Sequence, residues 1–343
     1  MSALARHDDD APVRLAALCR ELRASAGLGH KRDIAWALAA LGDAGLPAAP
    51  NGDDCAALPD GDGWLLFAIE GFINDFVARE PWFAGWCGVM VNCSDIAAMG
   101  GRPMAVVNAV WAEGGEAMAQ VLAGMAAAAR CYGVPVVGGH SNARSERGQL
   151  AVSILGRADH LLSGFAARPG HRLMVAVDLR GGYRDGFPHW DAATAAPPTR
   201  LRGDLALLPE LAREGHCVAA RDISQAGVLG SLMMLCEGSG VGATVDIEAV
   251  PLPGNVDRAR WLLSTFPSYG FLMAVPPERE AEVAVAFAGR DIACAAVGDF
   301  TADRVLTLTS GDARRTAWDF VREPVTGCRG AAMPPSTPEH VHA

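Results

Sequence analysis

Apolar positions along the 343-residue chain switch repeatedly between two periods. Over residues 12–41, Val13, Leu15, Leu18, Leu22, Ile34, Leu38 and Leu41 recur at helical spacing around the interruption "SAGLGHKRD". Proline and glycine then cluster in "GLPAAPNGDD". Beyond it, short apolar runs at 64–70, 104–110, 134–138 and 150–156 read as strands. Segments rich in small and apolar residues, at 82–99 and 116–132, read as helices between them. A second α/β stretch opens at 168–179 and passes a Pro/Gly/Trp-rich insertion at 181–200. It continues as a helix at 204–214, a strand at 217–222, a helix at 226–240 and a closing strand–helix–strand. The pattern predicts α/β alternation in two halves, divided as an N-terminal helical segment with a mobile loop (1–50), a first domain at 51–165, a second at 166–325 and a flexible tail at 326–343.

Composition narrows the classes. Half the residues are hydrophobic and a fifth charged, as in a globular protein of two domains. A formal charge of -10 argues against a nucleic-acid or anionic-membrane surface, though not against a phosphorylated substrate bridged by Mg²⁺. Nine scattered cysteines without a C-x-x-C pair suggest a reducing compartment. The acidic N-terminus lacks a signal-peptide core, and no apolar run is long enough to span a bilayer, so a cytoplasmic protein is expected. Lys31 is the only lysine; codon bias in an Ala- and Arg-rich genome explains that scarcity, but not why this one lysine remains.

Five motifs carry possible chemistry. In "VMVNCSDIAAMGGRP" (89–103), Gly88, Asn92, Asp95 and Met99 share one helix face, and Gly100-Gly101 stop the helix. A carboxylate in such apolar surroundings needs a role as cap, ion-pair member or metal ligand. "PNGDDCAAL" (50–58) sets Gly52, Asp53 and Asp54 in a turn before a strand; the acids are either solvated or held by a cation. Glu70 ends an apolar strand, where α/β folds commonly meet ligands. "VPVVGGHSN" (134–142) runs a strand into Gly138 and Gly139, which allow close backbone approach, then His140 and Ser141; His140 reads as a ligand, a phosphate contact or a core histidine. In "ARDISQAGVLGS" (220–231), Asp222 ends a strand, Ser224 is placed to cap the next helix, and Gly227 and Gly230 leave its first turn bare, as a phosphate site requires. There is no P-loop, no dinucleotide fingerprint, no G-x-S-x-G elbow and no H-E-x-x-H.

In this order, Gly-Asp-Asp-Cys-Ala, a strand-end acid, Asn-Cys-Ser-Asp-Ile-Ala-Ala-Met-Gly-Gly, Gly-Gly-His-Ser and Asp-Ile-Ser-x-x-Gly with Ser-Gly-Val-Gly-Ala resemble the aminoimidazole ribonucleotide (AIR) synthetase superfamily, over residues 50–310. Its members include thiamine-monophosphate kinase, selenophosphate synthetase and a hydrogenase maturation factor. The resemblance implies a two-domain α/β (α+β) fold, with an N-terminal sheet that pairs across a homodimer into a barrel. It implies ATP and Mg²⁺ in the cleft between the domains, and a small-molecule acceptor that is phosphorylated or activated. Asp54, Glu70, Asp95 and Asp222 would hold the metal. Gly52, Asp53, Asn92, Ser94, Gly138, Gly139, Ser141 and Gly227 would approach the nucleotide, with Lys31 and His140 as catalytic residues.

Departures from the kinase pattern bear on the substrate. Gln225 stands for the second acid of Asp-x-Ser-Asp-Gly, and "FPSYGF" (266–271) replaces Gly-Glu-Asp-Tyr-Glu. These losses argue against thiamine phosphate. They also support an alternative reading, a non-catalytic nucleotide-binding subunit or scaffold. "PWFAGW" (81–86) and "HWDAAT" (189–194) supply aromatics for a pocket, a core or an interface.

Overall fold

The computed structural model describes residues 11–42, 49–184 and 186–328. Three helices come first: α1 (Ala11–Ala24), α2 (Ala26–Arg32) and α3 (Ile34–Leu41). The chain continues through β1 (Ala56–Asp60), β2 (Gly63–Phe72), α4 (Asn74–Arg79), α5 (Pro81–Ala98), β3 (Arg102–Glu113), α6 (Gly115–Tyr132), β4 (Val136–Asn142) and β5 (Arg144–Ala158). Next come β6 (Arg172–Val177), β7 (Gly182–Tyr183), β8 (His189–Asp191), α7 (Pro198–Leu205), α8 (Leu207–Arg213), β9 (Ala219–Asp222), α9 (Gly227–Ser239) and β10 (Gly242–Asp246). The last elements are α10 (Arg258–Leu263), β11 (Phe266–Pro267), β12 (Gly270–Val275), α11 (Glu280–Ala288), β13 (Ala293–Thr301), β14 (Val305–Ser310) and β15 (Ala313–Asp319).

The fold is mixed α/β in two units, neither continuous in sequence. One unit lies within residues 54–161 and 193–213, and the other within 11–53, 162–192 and 214–328. The insertion and the helical stretch after it are therefore shared: β7 and β8 belong to one unit, α7 and α8 to the other. The single helix expected at 204–214 is the pair α7–α8.

In the first of these units, a five-stranded sheet has the order β1-β2-β5-β3-β4. Only β3 and β4 run parallel; the remaining neighbours are antiparallel. Period-2 alternation sends Leu66, Val106, Val110, Val152 and Ile154 to one face, where they form a core with Val89, Met90, Cys93 and Ile96 of α5 and Val121 and Met125 of α6. Pro81 at the first helical turn starts α5, and Gly100, in left-handed backbone (φ +73°), follows its end. The "PWFAGW" aromatics open this helix: Trp82 stacks on Trp86 at 5.5 Å, and Trp86 is buried against Tyr132.

The other unit carries a seven-stranded sheet, β15-β14-β10-β13-β6-β12-β9, and a small sheet, β11-β8-β7. Its core draws on α1, α2 and α9, with Leu15, Leu22, Leu28, Leu229, Leu232 and Leu235 packed on Val175, Val245, Leu272 and Leu308. The tail expected from residue 326 begins differently: Thr326 and Cys328 are buried and hydrogen-bonded, and 329–343 lie outside the described residues. Among the described residues, no helix is long and apolar enough to cross a membrane.

Candidate functional site

The carboxylate of "NCSDIAAMG" is buried, as its surroundings require. Asp95 is 5% exposed, four positions from the end of α5. That position faces the negative end of the helix dipole, so an ionised Asp95 favours a cation beside it. Its neighbour Cys93 has its thiol pKa pushed far up, first by burial and then by the charge of Asp95.

The register fixes which predicted residues share this side of the sheet. Glu70 pairs with Val152, Val152 with Asn108, and Asn108 with Gly139, giving one row across four strands on the helix-covered face. Helix α5 lies on that row: a Cβ on Gly88 would stand 2.7 Å from Val152 Cγ2, and Asn92 Nδ2 donates to Val152 O (3.1 Å) and Gly88 O (2.7 Å). Asn92 therefore uses both amide hydrogens, one within its own helix and one that ties the helix to β5. Its buried Oδ1 has no hydrogen-bond partner among the described residues. Ser94 donates to Met90 O within the helix (3.3 Å). The donors of Asn92 and Ser94 expected at phosphates are thus engaged internally, and what Asn92 presents is an acceptor.

Strand parity separates other members of the set. Gly139 and Ser141 lie in the register of Asn108 and Val110, on the covered face. Gly138 and His140 lie in the register of Val107 and Ala109, on the opposite face, and the His140 ring sits 5.6 Å from that of Trp111. His140 is therefore not on the face that carries Glu70 and Asn92. A Cβ on Gly139 would press on Asn108 O and Oδ1 at 2.6 and 2.8 Å, so this glycine accommodates Asn108. The sequence reading passed over Asn108; its signal was a lone amide in the apolar run "MAVVNAV".

In the other unit, Asp53 is gripped by a loop. Its carboxylate accepts the Ser163 hydroxyl (2.7 Å) and the Gly164 N–H (2.9 Å). Arg221, beside Asp222 at the end of β9, donates to Gly52 O (3.2 Å), and Asp222 itself is 8% exposed. Helix α9 starts at Gly227 (φ +65°) with Ala226 as its cap residue and no side-chain cap. Ser224 is not the cap expected of it: its N–H donates to Ser231 Oγ (3.0 Å), and the helix start is left without a side-chain cap. A Cβ on Gly227 would strike the Leu262–Ser264 backbone at 2.6–2.7 Å, so this glycine is also required by packing on α10. Helix α2 lies on the same loop. A Cβ on Gly27 would meet Ala226 Cα at 2.9 Å, and Lys31 is one turn further on the same helix face. Folding thus brings the only lysine's helix onto the start of α9.

Among the described residues, no group of three or more His, Cys, Asp or Glu side chains forms a ready metal cage. The acids offer hard oxygen donors, the chemistry Mg²⁺ takes, completed in such sites by water and phosphate oxygens.

Family models match both parts of the chain: "AIR synthase related protein, N-terminal domain" at residues 52–158 and "AIR synthase related protein, C-terminal domain" at 187–311. The chain belongs to the AIR synthase related family. Within it, an uncharacterized protein of Synechocystis sp. is 42% identical over 316 residues, covering 90% of this chain and 97% of the relative. A thiamine-monophosphate kinase of Synechococcus elongatus is 30% identical over 270 residues, covering 68% and 80%. Among solved structures, T. maritima PurL complexed with ADP superposes with a TM-score of 0.68 at 20% identity, covering 88% of this chain. The chain spans half the length of PurL, and at that identity the likeness establishes the AIR synthase related fold alone.

Proposed function

We propose that this AIR synthase related protein is a homodimeric, Mg²⁺-dependent enzyme that uses ATP to phosphorylate or activate a small-molecule acceptor. The observation that carries the reading is Asp95: a carboxylate buried near the C-terminal end of α5, where a cation is the favourable companion. Within the unit of the five-stranded sheet, Asp54, Glu70 and Asp95 are the residues that would hold the metal, whose chemistry is charge compensation on the phosphates. Asn92 Oδ1 adds a buried acceptor suited to a cation or a protonated donor. The bare start of α9 presents backbone N–H groups suited to an anion, and the Lys31 helix lies against its loop. Catalysis of this kind asks the protein mainly for positioning and electrostatics.

A specific observation favours a second reading, a nucleotide-binding subunit without turnover. The replacement segment "FPSYGF" is occupied structurally: Ser268 Oγ lies 3.2 Å from His189 Nε2, donates to Trp190 O and accepts from Ala192 N–H. Segments 189–191 and 266–267 are thereby locked together as the parallel pair β8–β11.

Calorimetric titration of ATP, with and without Mg²⁺, tests the assignment on wild type and Asp95→Asn. Mg²⁺-dependent binding in wild type that weakens at least about tenfold in the variant (about 1.4 kcal/mol) is the expected result. Equal affinity in the two proteins overturns the role of Asp95. Binding without phosphate release across a panel of acceptors selects the second reading.

A further inference from the structure

The Gly52–Asp53 turn is held by three segments distant in sequence. The loop at Ser163–Gly164 grips the Asp53 carboxylate, and Arg221 donates to Gly52 O. On the remaining side, Cys328 fills the space a residue-52 side chain would occupy: a Cβ there would stand 2.6 Å from Cys328 Sγ. With φ at +115°, residue 52 is doubly restricted to glycine.

Two of these three supports are anchored on the last turn of α9. Glu237, 4% exposed, accepts Val325 N–H (2.8 Å), Thr326 N–H (2.7 Å) and the Thr326 hydroxyl (2.7 Å). Thr326 Oγ1 in turn accepts Cys328 N–H (3.1 Å). Two residues further along the helix, Ser239 donates to Gly164 O (2.9 Å) and accepts Ala167 N–H (3.1 Å). Residues 230–236 are buried and, Ser231 apart, without polar side chains. A carboxylate in that position is costly unless fully hydrogen-bonded, and Glu237 spends its oxygens on one short strap of chain.

We propose that Glu237 is a positioning residue: through the 325–328 strap it sets the shape of the Gly52–Asp53–Asp54 turn. For nucleotide binding the inference rests on the preceding reading, in which that turn meets nucleotide and metal. In Glu237→Gln, one oxygen becomes an NH₂ that faces the donors of the strap. In Thr326→Val, the hydroxyl that links Glu237 to Cys328 is removed, and this variant serves if Glu237→Gln fails to fold.

Three readouts test the proposal on the full chain: alkylation of Cys328 by iodoacetamide, amide exchange at residues 52–55, and Mg·ATP affinity by calorimetry. The expected result is Cys328 labelling and exchange at 52–55 both faster by tenfold or more, with exchange in β3 and β5 unchanged, and ATP affinity at least tenfold weaker. Faster labelling with unchanged exchange at 52–55 overturns the proposal, because the strap then leaves without the turn. Faster exchange with unaltered ATP affinity overturns its bearing on nucleotide. If wild type binds no ATP, the preceding reading fails, and exchange at 52–55 alone decides whether Glu237 positions the turn.

Discussion

His189 shows how a single residue type changes meaning once its neighbours are known. Its ring is fully buried, edge-on to Phe266 at 4.6 Å, with Nε2 3.2 Å from Ser268 Oγ. Burial lowers its pKa to about 4; Asp191 opposes the shift and Arg184 adds to it. Between about 4 and the ordinary value of 6.5, the unfolded chain binds a proton that the folded chain does not. His189 therefore makes stability rise with pH across this window, and acidification from 6.5 towards 4 removes it. The slope from one such proton is at most about 1.4 kcal/mol per pH unit. Urea unfolding of wild type and His189→Gln at pH 7.0, 6.0 and 5.0 checks this: the gap in stability should shift in favour of the variant as pH falls. A gap that stays constant would show that His189 titrates alike in both states. "HWDAAT" reads in the sequence as pocket, core or interface; His189 and Trp190 are core, because strand pairing with 266–267 supplies the polar partner a buried histidine needs.

At the scale of elements, α5 and α6 approach through reciprocal glycines. A Cβ on Gly85 would collide with Val121 O, and one on Gly124 would collide with Trp82 O. Each helix leaves a gap where the other's backbone enters, which sets how closely α5 and α6 approach. Gly124→Ala should destabilise by about 1–3 kcal/mol through overpacking, seen as a fall in melting temperature. Gly29→Ala, with no atom within 4 Å of the new methyl, should be neutral or slightly stabilising. Equal melting of the two variants would remove the close-packing argument. Most elements were legible because period alone reveals them: α5, α6, β2, β3 and β5 stand where the alternation set them, whereas β4 starts two residues later than expected and runs on through Gly138 and Gly139 to Asn142. The faces were not. That His140 turns away from Glu70 and Asn92 depends on β4 pairing with β3 at Asn108↔Gly139, while Glu70 reaches the same row through Val152. Such registers join residues far apart in the chain, and no local pattern encodes them. The uncapped start of α9 was hidden likewise, since Ser224 is taken by Ser231 one helical turn beyond any capping distance.

For the whole molecule, the face of the five-stranded sheet opposite α5 and α6 carries an apolar surface. Phe67 (51% exposed) and Ile69 (68%) on β2 and Val107 (41%) on β3 stand together on it. Strand β4 is also an edge, with every residue exposed. A contiguous apolar sheet face marks an interaction surface, and an unprotected edge beside it invites pairing. A second copy of this chain is the occupant that the proposed homodimer places there, and it would bring His140 and Trp111, which share this face, into the interface. Sedimentation velocity should give twice the chain mass for wild type. Ile69→Glu and Val107→Glu each bury a charge in that interface and should shift the population to monomer, while leaving the covered row of Glu70, Val152, Asn108 and Gly139 intact. If those variants still bind Mg·ATP with wild-type affinity, the nucleotide site is complete within one chain. If affinity falls with the dimer, the second copy supplies part of the site. A monomeric wild type at micromolar concentration would refute self-association through this face.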